Sequence, residues 1–297
     1  KVTVFVEVKA RFDEANNLKW AKALENEGVN IIYSIPNLKV HAKVALIIRT
    51  QDNIRQAFAF FGTGNFNEKT AQIYADHGFF TSNSDLTREL CEVFDYLAYP
   101  NRKPVLEHLL VAQINILDKF YGLIEDEMAR AKAGKEAKMI IKINNLEYDK
   151  IIDKLYEAAQ AGVKIELIVR SICCLVPAEK ELSENIRVTR IVDRYLEHAR
   201  IFMFYREGNP AVFLGSSDWM KRNLKHRVEV VFPVYDPTIK QELIDILLIQ
   251  LRDNQKARIL NPEHHNLKKE IKAGEHPHRA QEEIYTYIQE RMKLIES

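Results

Sequence analysis

Cysteine is scarce in this chain: Cys91, Cys173 and Cys174 are the whole supply in 297 residues. Two are adjacent and one is left over, so neither a disulfide framework nor a C-x-x-C zinc site is written here. A reducing, cytoplasmic setting with structural thiols is expected. No apolar run approaches the roughly 18 residues that a bilayer span needs. No signal peptide is legible, because Lys1-Val2-Thr3-Val4-Phe5-Val6 reads as a strand already under way. A first residue other than Met fits a fragment. An excess of one charge is also missing. Lysine and arginine number 43 against 42 acids, a net of +1. No global field therefore steers a polyanion here, and positive charge for an anionic substrate must be local. What is present is core material. Hydrophobic residues make up 46% and charged residues 29%, a soluble globular composition long enough for one large domain or two ordinary ones.

Strands alternate with helices. Val2, Val4, Val6 and Val8 have the period of a strand, as does Lys164 to Val169. Leu18 to Leu24 has helical spacing and stops near Gly28, and Leu155 to Ala161 stops at Gly162. A longer helix is expected over Ile114 to Ala133, ending near Gly134, and a last one over Arg279 to Ile295. This is an α/β pattern with covered sheets.

The two halves share a plan. In the first, Val40-His41-Ala42-Lys43 runs into apolar Val44 to Ile48. In the second, Glu197-His198-Ala199-Arg200 runs into Ile201 to Phe204. Each histidine is followed two residues later by a cation. Each half then reaches a turn, Gly62-Thr63-Gly64-Asn65 or Gly215-Ser216-Ser217-Asp218. Asp76 and Glu229 each lie fourteen residues past the first turn glycine. Matched features in one order argue for duplication, with a break near Pro100 and Pro104.

The chemistry of the repeat is phosphoryl chemistry. Neutral imidazole is nucleophilic near pH 7 because its ordinary pKa is about 6.5. A cation two residues on shares its strand face and neutralises phosphoryl oxygens. Turn hydroxyls and amides add donors. Lys43 and Arg200 lie in apolar runs, where an unpaired cation is costly. Arg11 and Arg170 end apolar strands, where open α/β sheets place ligands. Asp76 and Glu229 are either surface acids or orienters of their own repeat's histidine. Asn65 is either a helix cap or a phosphate ligand, and Gly62, Gly64 and Gly215 are expected to serve turn geometry. His264, His265, His276 and His278 match no standard metal spacing and read as a solvated loop.

H-x-K followed by G-T/S-x-N resembles the phospholipase D superfamily, in which one histidine is the nucleophile and the other protonates the leaving group. This chain departs from that pattern. The position five residues past each cation holds Ile48 or Tyr205 instead of Asp, and the second motif carries Arg200 instead of Lys.

Longer motifs resemble the polyphosphate kinase family. Val8-Lys9-Ala10-Arg11-Phe12-Asp13-Glu14 is similar to its ARFDE segment, and Leu38 to Lys43 to the segment of its phosphorylated histidine. Phe61-Gly62-Thr63-Gly64-Asn65-Phe66-Asn67-Glu68-Lys69-Thr70-Ala71 is similar to IGTGNFNEKTA. Ile191 to His198 and Ser216 to Met220 resemble two further segments. The resemblance covers nearly the whole chain. It implies two phospholipase D-like α/β repeats, each a mixed sheet flanked by helices, over residues 1–108 and 109–297. The first lacks its start, and further domains precede it in the family.

The resemblance also implies reversible transfer of phosphate between ATP and inorganic polyphosphate through a phosphohistidine. His41 is then the phosphorylated nucleophile, and His198 the second catalytic histidine near the nucleotide phosphates. Lys43 and Arg200 assist, and Tyr74 and Arg170 contact ATP. Arg11 belongs to a site the family associates with Mg2+. As a cation it is expected to act on phosphate instead. Asp218 in the second turn, where the first has an amide, is expected to repel phosphate and favour a protonated His198. ATP and polyphosphate are the expected partners, with no nucleic acid and no transmembrane segment. A homo-oligomer is expected for the full-length enzyme, in the cytoplasm or at its membrane periphery. The competing readings are a phospholipase D-type phosphodiesterase and a non-catalytic polyanion-binding fragment.

Overall fold

The structure is a computed structural model that describes residues 1–8, 14–34, 38–271 and 273–296. The first half runs β1 (Thr3–Val6), α1 (Glu14–Asn26), β2 (Asn30–Tyr33), β3 (Lys39–Val40), β4 (Lys43–Gln51), β5 (Ile54–Gly62), α2 (Glu68–Ala71), β6 (Tyr74–Ala75), β7 (Gly78–Thr81) and α3 (Ser84–Ala98). The second half opens with β8 (Leu110–Val111), α4 (Ile116–Lys132), β9 (Lys138–Ile143), α5 (Asp149–Gln160), β10 (Lys164–Val169) and β11 (Ile186–Ile191). It continues with β12 (Leu196–Glu197), β13 (Arg200–Phe204), β14 (Ala211–Gly215), α6 (Lys221–His226), β15 (Arg227–Val228) and β16 (Val230–Pro233). It closes with α7 (Pro237–Arg252), β17 (Ala257–Leu260), β18 (Asn266–Lys268) and α8 (Ala280–Glu296).

Local chemistry sets the ends of these elements. Asn83 and Asp236 cap α3 and α7 by accepting from the second and third backbone N–H groups beyond them, and Pro237 follows at the first helical position. Gly162 stops α5 at a φ of 99°, which a side chain would strain. Asp52 and Asn53 both take positive φ and join β4 to β5 by a two-residue turn matched to strand twist.

The second half forms a nine-stranded mixed sheet, ordered β18-β17-β11-β10-β9-β13-β14-β16-β8. Its parallel strands β9, β10 and β11 lie in the middle. One face packs against α4 and α5, with Phe120, Ile124, Ile151 and Leu155 on Met139, Ile141 and Leu167. On the other face Ile140, Ile201 and Met203 share a core with Leu90 and Val93 of α3 and Leu243 of α7. Being covered on both faces explains the near-continuous apolar strands.

Apart from β3 and β6, which pair with strands of the second half, the first half divides its strands between a parallel pair, β1-β2, and a three-stranded antiparallel sheet, β4-β5-β7. That sheet packs with α3 into a core that it shares with the second half. Phe61 and Phe79 stack on Phe232 of the second half at centroid distances of 4.8 and 5.4 Å. The repeats therefore bury apolar area against each other in a shared core, while the second half also has a large core of its own. Among the described residues no helix is long and apolar enough to cross a membrane.

Candidate active site between the repeats

The hairpin register sets the first part of the site. In the first half Lys43 pairs with Gly62 across β4 and β5. In the second half Arg200 pairs with Gly215 across β13 and β14. Each cation thus stands opposite the glycine that opens its own turn. The histidine segments precede these hairpins, and each crosses to the other half. The strand before His41, β3, pairs in parallel with β15, and His41 N–H donates to the Val228 carbonyl at 2.9 Å. The strand leading to His198, β12, pairs in parallel with β6, and His198 N–H donates to the Ala75 carbonyl at 3.1 Å.

The acids are consequently exchanged. His41 Nδ1 lies 2.9 Å from Glu229 Oε2, and His198 Nδ1 lies 2.9 Å from Asp76 Oδ1. Sequence order alone suggested that an acid would orient its own repeat's histidine, and the structure corrects this: each acid serves the opposite repeat. What each acid keeps from its own repeat is a turn hydroxyl. Thr63 Oγ1 donates to Asp76 at 2.6 Å, and Ser216 Oγ donates to Glu229 at 2.5 Å. These hydroxyls were expected to reach phosphate, but their protons are given to carboxylates. Asn223 Nδ2 completes the Glu229 shell at 2.7 Å.

Protonation follows from the partners. Burial pushes the Glu229 carboxyl up, but His41, Lys43 and Ser216 outweigh it and hold it below the usual range. Asp76 is likewise held low: burial pushes it up, but His198, Thr63 and Arg200 together outweigh that. Two ionised acceptors require Nδ1–H on both histidines. The Nε2 of His41 is then the nitrogen with a free lone pair. Burial, reinforced by Lys43, lowers the pKa of His41, which keeps that lone pair available. Burial also lowers the pKa of His198, aided by Arg200 and opposed by Asp76. Arg200 Nη1 sits 3.1 Å from His198 Nε2. Guanidinium only donates, so Nε2 accepts and the ring is neutral. This corrects the expectation of a protonated His198.

Asp218 is corrected with it. Its two oxygens take Arg200 Nε and Nη2 at 3.2 and 3.3 Å, the Asn144 N–H at 2.8 Å and Asn145 Nδ2 at 3.0 Å. It is a neutralised clamp that aims Arg200 and offers little repulsion to phosphate. Lys43 is 6% exposed, and burial lowers its pKa to about 7. Its ammonium donates to the His41 carbonyl. Its charge is felt by Glu229, Arg200, Arg227 and Asp76 alike, so it stands where the repeats meet.

The remaining expected residues arrange as follows. Tyr74 lies with its ring 4.9 Å from the His198 ring. Arg170 donates from Nη1 to the Glu197 carbonyl at 2.8 Å, one residue before His198. Arg11 lies outside the described residues. Asn65 is exposed, and the cap of α2 is Asn67, whose side chain accepts from Lys69 and Thr70 N–H at 3.0 Å. Gly62, Gly64 and Gly215 do not have positive φ, so turn conformation is not their reason. A Cβ on Gly64 would come within 2.3 Å of Asp76 Oδ2. Glycine there lets the acid lie flat against the turn.

Arg227 and Asn223 were missed as site residues. Arg227 Nη1 is 3.9 Å from Glu229 Oε1. The repeat carried the signal, because Arg227 precedes Glu229 by the same two residues by which Tyr74 precedes Asp76. Among the described residues no group of three or more His, Cys, Asp or Glu side chains is placed to hold a metal. The three site carboxylates are already engaged, so the described residues do not fit a protein-held Mg2+.

Comparison with known proteins agrees with this geometry. The family described as polyphosphate kinase C-terminal domain 1 matches residues 1–103, and C-terminal domain 2 matches residues 109–281. A polyphosphate kinase from Vibrio parahaemolyticus is 46% identical over 265 residues, covering 89% of this chain and 38% of that protein. The crystal structure of polyphosphate kinase from Porphyromonas gingivalis superposes with a TM-score of 0.91 at 46% identity, covering 99% of this chain and 45% of that one. Phosphatidylserine synthase from Haemophilus influenzae, at 11% identity and a TM-score of 0.54 over 99% of this chain and 90% of that one, shares the fold alone. The chain spans about two fifths of the length of the curated relatives it matches. With two matching domain descriptions in order and this identity over nearly nine tenths of its length, the chain belongs to the polyphosphate kinase family, as its paired C-terminal domains.

Proposed function

We propose that this chain carries the phosphohistidine centre of an ATP:polyphosphate phosphotransferase. The observation that supports it is His41, whose Nδ1–H is tied to an ionised Glu229 while Nε2 is left unprotonated and the charges of Lys43 and Arg227 act on the ring. In the forward direction the Nε2 lone pair attacks the terminal phosphorus of ATP. The bond to the bridging oxygen breaks, and ADP leaves with that electron pair. The phosphorylated ring carries positive charge, which Glu229 stabilises. A terminal oxygen of polyphosphate then attacks the same phosphorus, and the P–N electrons return to Nε2. Lys43 and Arg200 neutralise equatorial oxygens as charge spreads over them.

His198, the second catalytic histidine, is proposed to act while neutral and fixed between Asp76 and Arg200, aiming the Arg200 guanidinium, which donates to the departing or attacking oxygen. Tyr74 and Arg170 are assigned to the nucleotide, and Arg11 to phosphate. Mg2+ enters this proposal only as the ion that ATP carries, and no step is assigned to it. The domains are taken as 1–108 and 109–297. Cytoplasmic location and homo-oligomerisation of the full-length protein belong to the same reading.

Incubation with γ-labelled ATP and Mg2+ tests the proposal. Label that is acid-labile and base-stable and lies on His41 is expected. Diester turnover without nucleotide would favour a phosphodiesterase. Polyphosphate binding with no phosphoenzyme would leave a polyanion-binding fragment.

A further inference from the structure

A cleft of about 470 Å³ opens beside Arg170, at the β18 edge of the nine-stranded sheet. Five cations line it: Arg170, Arg190, Lys256, Arg258 and Lys268, and the rest of its lining is neutral. A chain with a net charge of +1 has concentrated positive charge in one place.

The arrangement is built by the sheet. Arg190 pairs directly with Arg258 across β11 and β17, and Arg258 pairs directly with Lys268 across β17 and β18. Paired residues stand on the same face, so three cations form a row. Neighbouring strands lie about 4.8 Å apart, which makes the row about 10 Å long. Like charges set directly opposite each other destabilise a sheet unless an anion lies between them. Among the described residues no ion pair is formed by Arg190, Arg258 or Lys268. The Arg190 Nε is buried without a hydrogen-bond partner. Lys256 has an acid nearby, Asp193 at 4.0 Å, but that carboxylate is already held by Arg279 at 2.7 Å.

Arg170 connects the row to the active site. Its Nη1 donates to the Glu197 carbonyl, and its charge is felt by Tyr74 and Asp218. The cleft contains no aromatic ring on which a base would stack. Its chemistry suits a linear run of phosphates without bases.

We propose that the Arg190–Arg258–Lys268 row is a subsite for the distal part of a polyphosphate chain, several phosphates from the reacting end, so that long chains bind more tightly than short ones. This rests on the phosphotransferase reading above. It adds that chain-length preference resides in β11, β17 and β18 and not in the segments that carry the catalytic histidines.

The test is equilibrium binding to this chain of polyphosphate tens of units long and, separately, of tripolyphosphate. The parent protein is compared with an Arg258→Gln, Lys268→Gln double variant. Both side chains are exposed, so the fold should survive, and thermal melting checks that. The double variant is expected to weaken long-chain binding about tenfold, by analogy with the loss of two charge contacts, and to leave tripolyphosphate within about twofold. The slope of log affinity against log salt should fall by about two for the long chain. Equal loss for both ligands, no loss for either, or no length preference in the parent overturns the proposal. A single-stranded oligonucleotide that displaces long polyphosphate at equal phosphate concentration overturns the assigned ligand. Labelled phosphohistidine on His41 is read in the same samples. Its absence from the parent would sink the phosphotransferase reading, whereas its presence with unchanged length preference would sink only this subsite.

Discussion

His41 and Glu229 lie 188 residues apart in the chain and 2.9 Å apart in space, and the pair joins one repeat to the other. The acid fixes the ring's tautomer and answers the charge that a phosphorylated ring would carry. Glu229→Gln should therefore slow phosphorylation of His41 by on the order of 10²–10⁴-fold, as loss of the orienting carboxylate does in a Ser-His-Asp triad. Single-turnover labelling with γ-labelled ATP measures it. A loss under threefold would show that the carboxylate does not act through His41.

The two histidines should separate in their effects. His41→Ala is expected to abolish acid-labile labelling. His198→Ala should keep labelling detectable while slowing transfer to polyphosphate, because the acceptor nitrogen is still present. Circular dichroism guards against simple unfolding. Label recovered from His198, or retained in the His41 variant, would reverse the assignment.

Gly64→Ala should imitate damage at Asp76. The added methyl meets Asp76 Oδ2 at 2.3 Å, so the acid must leave the turn and with it His198. A loss of transfer of about 10–100-fold is expected, the scale at which displaced orienting groups act. Phosphoenzyme yield should change much less. Identical losses in both steps would mean that the turn, not the acid, had been disturbed.

The pH profile of kcat/KM should be bell-shaped. The acid limb reports His41, whose pKa is lowered, so activity falls as pH drops through a value under the ordinary histidine range. The alkaline limb reports Lys43, with a pKa of about 7: it is charged below that pH and loses its positive charge above it. Bound phosphate favours the charged form, so the same limb should move upward in kcat. Lys43→Arg should remove the alkaline limb from kcat/KM. A limb that persists unchanged in that variant points to another group.

Stability at the join between the repeats should depend on Glu89. Its carboxylate is fully buried and accepts from the backbone N–H groups of Glu107, His108 and Leu109 at 2.9, 3.1 and 2.7 Å. Glu89→Leu leaves three donors unsatisfied and should cost about 3 kcal/mol or more. Urea denaturation reads this, and an unchanged midpoint would mean that water replaces the carboxylate.

Much of this protein is legible along the chain, because its signals are local. Helix periodicity with glycine stops located α4 within two residues at each end and the last turn of α5 within one, although α5 begins at Asp149, six residues before the expected Leu155. The repeated order of histidine, cation, glycine turn and acid named the groups that the structure gathers. What the chain order does not contain is which acid meets which histidine. That depends on the short parallel bridges β3–β15 and β6–β12, and so on how the halves dock through Phe61, Phe79 and Phe232. The role of Asp218 was hidden for a related reason. An acid in a turn reads as a charge near phosphate until packing places Arg200 on both its oxygens. Lys43 carries the same lesson in energetic form. Its residue type specifies a charge, but only burial between the repeats brings its pKa to about 7. The sequence by itself determined the parts and their repeat. Tertiary structure decided their partners and protonation, since desolvation and through-space charge have no counterpart in residue order.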